Sequence, residues 1–172
     1  ISVPVSGNAN VDSLVVDSEG SAIIGGYALG NVQYSEHDQE TFQNQAIFLA
    51  KYDNQGQYLW HAISEAGTTL GISHLVLSGD DLLVSGFFCG NSTLGTVELV
   101  TLDSGCPLFL VKYNASSGEC LEAKTIGGGG ISTAASFAVA SDGSLFMGGA
   151  VQYGVEFCPG YSITPPSYYL HA

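Results

Sequence analysis

At 172 residues the chain is long enough for one or two ordinary domains, and with 45% hydrophobic and 11% charged residues it can bury a core. Three Lys, no Arg and a formal net charge of −13 exclude a nucleic-acid interface, which needs a basic footprint, and disfavour an anionic membrane surface. No apolar run of about 18 residues occurs, so no membrane insertion by a helix is expected.

Taken in chain order, the sequence opens at Ile1 with neither Met nor leader, which reads as a processed or excised product. Ile1–Gly7 (ISVPVSG) has strand character. Ser13–Ala28 (SLVVDSEGSAIIGGYA) gives two β-rich runs joined by Asp17-Ser18-Glu19-Gly20. Four-residue turns of this kind end in Gly because a type I turn is followed by a left-handed residue. Gly30–Gln45 is polar and reads as a loop. Ala46–Trp60 (AIFLAKYDNQGQYLW) gives a second hairpin around Asp53-Asn54-Gln55-Gly56.

The same phrases then return. His74–Phe88 aligns with the first hairpin at a spacing of 61, and Ser136–Val151 follows at 62. Leu14, Leu75 and Phe137 fall together, as do Gly26, Gly86 and Gly149. Phe48-Leu49-Ala50-Lys51-Tyr52 matches Phe109-Leu110-Val111-Lys112-Tyr113, so two of the three lysines occupy one position. A third copy of this phrase falls at Tyr168-Tyr169-Leu170 and is cut short. The units divide as follows: residues 1–10, the outer strand of a unit; 11–70, repeat 1; 71–131, repeat 2; 132–172, a truncated repeat 3. No helical apolar stripe persists. Inner runs such as Ala22-Ile23-Ile24 are apolar on both faces, as in a sheet covered on both sides.

A four-stranded unit at this period predicts an all-β fold of β-propeller-type blades, about three of them, each of four antiparallel strands. The paired phrases "VDSLVVDSEGSAIIGGYA" and "AIFLAKYDNQGQYLW" resemble the bacterial and archaeal β-propeller repeat of secreted and cell-surface proteins, which joins a D-x-x-G-type hairpin to an F-x-x-K-Y…G…W-type hairpin. The resemblance spans nearly the whole chain. It weakens in the second unit, where Glu122 replaces the Trp, and it implies fold and location without naming an activity. In closed propellers of this kind, a spare first strand completes the last blade. Three blades are too few for a ring. Two chains could close a six-bladed ring, chains could donate strands head to tail into a filament, or the chain could be part of a longer propeller. The expected assembly residues are Ile1, Val3 and Val5 on the donated strand and Tyr168, Tyr169 and Leu170 on the acceptor.

The remaining candidates point away from chemistry. The recurring Lys51 and Lys112 are expected to make one packing or ion-pair contact in each unit. His37, His61, His74 and His171 lack metal-ligand spacing. Acidic turns at Asp53-Asn54 and Asp80-Asp81 lack the calcium-loop pattern, so no cofactor is expected and Ca²⁺ is a minor alternative. No nucleophile elbow or phosphate loop occurs, and no enzyme is expected. Four cysteines allow two disulfides. Cys89 with Cys106 would staple the Asn91–Cys106 loop, and Cys120 with Cys158 would join successive units. Asn91 and Asn114 open glycosylation sequons. The expected function is a non-enzymatic, extracellular or cell-surface structural protein whose partners are copies of itself. The alternatives are a module binding a glycan or cell-surface protein through its loops, and a fragment of a larger secreted propeller.

Overall fold

The computed structural model describes residues 8–65, 69–94, 97–101, 105–126, 132–151, 155–158 and 161–163. Every regular element among them is a β-strand. In chain order these are β1 (Asn8–Val16), β2 (Ala22–Gln33), β3 (Gln39–Tyr52), β4 (Tyr58–Glu65), β5 (Thr69–Ser78), β6 (Asp81–Cys89), β7 (Ser92–Leu94), β8 (Val97–Leu99), β9 (Leu108–Asn114), β10 (Cys120–Ile126), β11 (Ser132–Val139), β12 (Leu145–Val151), β13 (Val155–Cys158) and β14 (Tyr161–Ile163). All pairings are antiparallel. The first sheet has the order β1-β2-β3-β4-β7-β8, the second β10-β9-β6-β5, and β11-β12 and β13-β14 form two-stranded sheets. Among the described residues, no helix is long and apolar enough to cross a membrane.

The turns follow from their residues. Gly20, Gly56, Gly118 and Gly143 close four turns with positive φ, near 80°, where a side chain would be strained. The residue that opens three of these turns holds them with its side chain. Asp17 Oδ1 accepts the amides of Glu19 and Ser21, Asp53 Oδ1 those of Gln55 and Gln57, and Asn114 Oδ1 those of Ser116 and Ser117.

Three hairpins are built to one register. In β1–β2, β5–β6 and β11–β12, a bulge falls just before the strand pair that contains Gly26, Gly86 and Gly149 respectively. The bulge presses the neighbouring backbone onto the glycine. A Cβ at Gly26 would overlap the carbonyl oxygen of Asn10, and one at Gly86 would overlap that of Gly71. The recurrence of glycine at this position is therefore a demand of close backbone approach.

The first two sheets pack face to face. Ile23, Leu49 and Trp60 from the first meet Leu75, Val84 and Val111 from the second in one buried cluster. The Ser13 hydroxyl accepts the Leu75 amide across the interface. On the other face of the first sheet, Ile24, Phe48, Ala50 and Tyr52 form a second cluster with Val32 and Tyr34.

The structure corrects three expectations. Gly30–Gln45 is not a loop on the surface. It continues the β2–β3 hairpin, turning at Tyr34–Asp38, where the Tyr34 amide donates to the Asp38 carbonyl. Between the pairs Ala28↔Ala46 and Gly30↔Phe42, β2 advances two residues and β3 four, and beyond this irregularity the hairpin lies over its own sheet. Asn91–Cys106 is likewise not all loop, because β7 pairs with β4 and extends the first sheet. β1 begins at Asn8, so residues 8–10, assigned above to an outer strand, belong to the first hairpin.

Candidate functional site

Lys51 stands on β3, facing the second sheet, and is 6% exposed. Its Nζ lies 2.8 Å from Asp17 Oδ2 and donates to the Ala115 carbonyl oxygen at 3.0 Å. The Trp60 indole N–H donates to the same oxygen at 3.3 Å. Ala115 belongs to the β9–β10 turn, and a Cβ on Gly118 in that turn would strike the Trp60 ring. One buried cation thus satisfies a turn carboxylate in its own sheet and a turn carbonyl in the next. The hydrogen bond from Lys51 holds the Asp17 carboxyl below its ordinary value.

Lys112 occupies the equivalent position on β9. Its Nζ lies 2.6 Å from Asp81 Oδ2, yet its side chain is 39% exposed. The strand partner in the Trp60 position is Glu122, which pairs instead with Lys124 at 2.8 Å. All three basic residues are therefore ion-paired, and among the described residues Lys51 alone bonds across to a neighbouring sheet.

The third hairpin differs most. Leu145, Phe146 and Met147 on β12 hold the register positions of Ala22, Ile23 and Ile24 on β2. The β2 residues are buried, whereas Phe146 is 65% exposed and both its neighbours are exposed too. The neighbours differ in two directions, and Ile23 lies in the cluster between the first and second sheets. β2 runs between β1 and β3, and β6 between β5 and β9, while β12 has β11 on one side and no partner on the other among the described residues. An unpaired edge carrying apolar side chains is a template for another strand.

A further constellation escaped the sequence. The Tyr34 ring stacks on His61 with centroids 4.2 Å apart and planes 8° from parallel, and Phe48 and Tyr58 complete the cluster. The Tyr52 hydroxyl donates to the Tyr34 carbonyl. His61 Nε2 lies 3.5 Å from Glu40 Oε1, and Nδ1 lies 2.6 Å from the Tyr58 hydroxyl. A carboxylate–imidazole–phenol chain could in principle ready a phenolate. Here burial, aided by the Asp38 and Glu40 carboxylates, pushes the Tyr58 pKa up, which disfavours that form. Burial likewise pushes Tyr52 up to about 12. The arrangement fastens the folded-back hairpin. The polar signature of residues 30–45 hid it, because the two residues that seal the face, Val32 and Tyr34, are lost among polar neighbours.

The other expected residues fall as follows. Cys89 and Cys106 form a disulfide across a separation of 17 residues. Cys120 carries a free thiol, which corrects the expected bridge to Cys158, whose side chain lies outside the described residues. Cys120 lies on β10 at the edge of the second sheet, and burial raises its pKa. Asn91 is exposed and accepts the Thr101 amide, while the Asn114 side chain is engaged in its turn. The assembly residues Ile1, Val3, Val5, Tyr168, Tyr169 and Leu170 lie outside the described residues. Among the described residues, no group of three or more His, Cys, Asp or Glu is placed to hold a metal ion. No protein-family model and no curated protein matches the chain.

Proposed function

We propose that this is a non-enzymatic structural protein of the extracellular space or cell surface, built of β-propeller-type blades related to those of secreted bacterial and archaeal repeat proteins, that self-assembles by strand pairing between chains. The single observation that carries this reading is the β12 edge, which has no partner among the described residues. Phe146 is 65% exposed at a position where its counterpart Ile23 is fully buried. In the first two units the corresponding strand gains a partner on its second side, β3 for β2 and β9 for β6. A strand contributed by another copy would do the same for β12 and the strands beyond it, with Ile1–Gly7 as the donor. The Cys89–Cys106 disulfide and the net charge of −13 fit an oxidising, extracellular setting.

The test is the mass in solution by light scattering over a range of concentrations. Self-association that is lost on deleting Ile1–Gly7, and weakened by Phe146→Lys, is the expected result. A chain that stays at 17.8 kDa at every concentration sinks the reading. Association that survives the deletion removes Ile1–Gly7 as the donor.

A further inference from the structure

The units meet in one way, twice. β5 lies against β1 and β2, and β11 lies against β5 and β6. At the first junction Ile72, Leu75 and Leu77 of the second unit pack on the first sheet. Ile72 and Leu75 come over Gly25, where a Cβ would lie 2.8 Å from the one and 3.2 Å from the other, and the Leu75 amide donates to the Ser13 hydroxyl. At the second junction Phe137 is the register counterpart of Leu75, and His74 that of Ser13. Phe137 is buried, with its ring 6.4 Å from that of His74. β1 carries the same stripe, exposed. Val11, Leu14 and Val16 hold the positions of Ile72, Leu75 and Leu77 and are 46%, 56% and 57% exposed. The folded-back β2–β3 hairpin covers Phe48, Ala50 and Tyr52 on this side of the sheet but not the stripe. The surface that receives the stripe is exposed on the third unit. Phe146 and Gly148 are the counterparts of Ile23 and Gly25. Phe146 is 65% exposed, and a Cβ on Gly148 would meet nothing within 4 Å. Ser136, the counterpart of Ser13, is exposed too. The first and third units thus each show one half of the junction that is made twice inside the molecule.

We infer that the Val11–Leu14–Val16 stripe of β1 is a docking surface for a second copy of this chain, and that it seats on that copy's β11–β12 face around Phe146 and Gly148, as Leu75 seats over Gly25 within the molecule. This rests on the self-assembly reading and adds to it a face contact that strand pairing does not supply. The two contacts are compatible. Ile1–Gly7 directly precedes β1 in the chain, so a copy that lends this segment to the β12 edge of its neighbour brings its own β1 to the same unit of that neighbour. The contact is apolar at its centre, so removal of Leu14 and Phe146 from water drives it. Its two surfaces are different, so it is heterologous, with the first unit of one copy meeting the third unit of the next.

The experiment is light scattering on the intact protein, on Leu14→Asp, on Phe146→Lys and on an equal mixture of these two variants, with far-UV circular dichroism alongside. Both residues are exposed, so both variants are expected to keep the spectrum of the intact protein. Leu14→Asp, which leaves Ile1–Gly7 and β12 unaltered, is expected to weaken self-association by about tenfold or more. Leu121→Asp, at an exposed leucine on β10 outside the stripe, is expected to leave it unchanged. The mixture is expected to form pairs at concentrations where each variant alone stays monomeric, because the intact stripe of the F146K copy can seat on the intact face of the L14D copy. Undiminished association of folded L14D overturns the face contact and leaves strand donation standing. An equal loss in L121D does the same, as does a mixture that pairs no better than either variant alone. An intact protein that remains at 17.8 kDa overturns both readings. Should L14D lose its spectrum, Leu14→Ser takes its place, with the same outcomes supporting or overturning the contact.

Discussion

The β1–β2 and β11–β12 hairpins share a turn type, a bulge and a register, yet one is core and the other is surface. Ile23 is fully buried and Phe146 is 65% exposed, although each follows its turn by the same number of residues. Nothing local separates them. β2 has β3 on its open side and the second sheet over its face, and β12 has neither among the described residues. Burial in a sheet is thus decided by neighbours in two directions, along the hydrogen bonds and across the face, and a hairpin supplies only half of the first.

The contrast between closed and open positions can be broken at will. The largest effect is expected at the lysine clasp. Lys51→Ala strands the Asp17 carboxylate and removes a buried donor from Ala115, and should lower unfolding stability by about 4 kcal/mol in denaturant titrations. Lys112→Ala, at the half-exposed twin, should shift the midpoint only slightly. Equal losses at the two sites would show that the clasp to the next sheet contributes nothing. Next comes the apolar pair. Ile23→Ala should cost about 3 kcal/mol, whereas Phe146→Ala should stay within about 0.5 kcal/mol for the isolated chain.

A smaller contrast lies in the glycines of the same register. A Cβ at Gly25 would come within 2.8 Å of Ile72 and 2.9 Å of Leu49, while one at Gly148 would meet nothing within 4 Å. Gly25→Ala is expected to cost about 2 kcal/mol and Gly148→Ala close to nothing, read from the thermal midpoints. The smallest effect is on acid stability. The Asp17 carboxyl is held below its ordinary 3.8 by Lys51, so its contribution is fully present above that value and is lost as the pH falls from there through the lower folded value. Asp17→Asn should flatten this part of the stability-against-pH curve. Asp12, whose pKa burial raises, works in the opposite sense.

Much of this architecture could be read in the residues. The all-β character, the turns at Asp17–Gly20 and Asp53–Gly56 and the alignment of Gly26 with Gly86 and Gly149 are local matters, because turn geometry and bulges act over a few residues. The disulfide at Cys89 and Cys106 could be suspected because the two residues bracket one segment. The bridge from Cys120 to Cys158 could not be tested in that way, since it depended on how distant strands lie, and Cys120 is a free thiol.

The candidate site was legible only in its repeated part. That Lys51 recurs as Lys112 is plain in the sequence. That the first clasps the Ala115 carbonyl, while the second stands half open, depends on a sheet arriving from sixty residues away. The folded-back hairpin was invisible for a related reason. Gly30–Gln45 is polar on average, and beyond a strand irregularity its apolar side chains Val32, Tyr34 and Phe42 pack onto the sheet. By itself, then, the sequence determined the repeated hairpin strands, their turns and the period, which follow from backbone sterics and side-chain alternation within each hairpin. Only the tertiary structure decided which apolar positions are covered, because coverage is a relation between elements and no single element carries it.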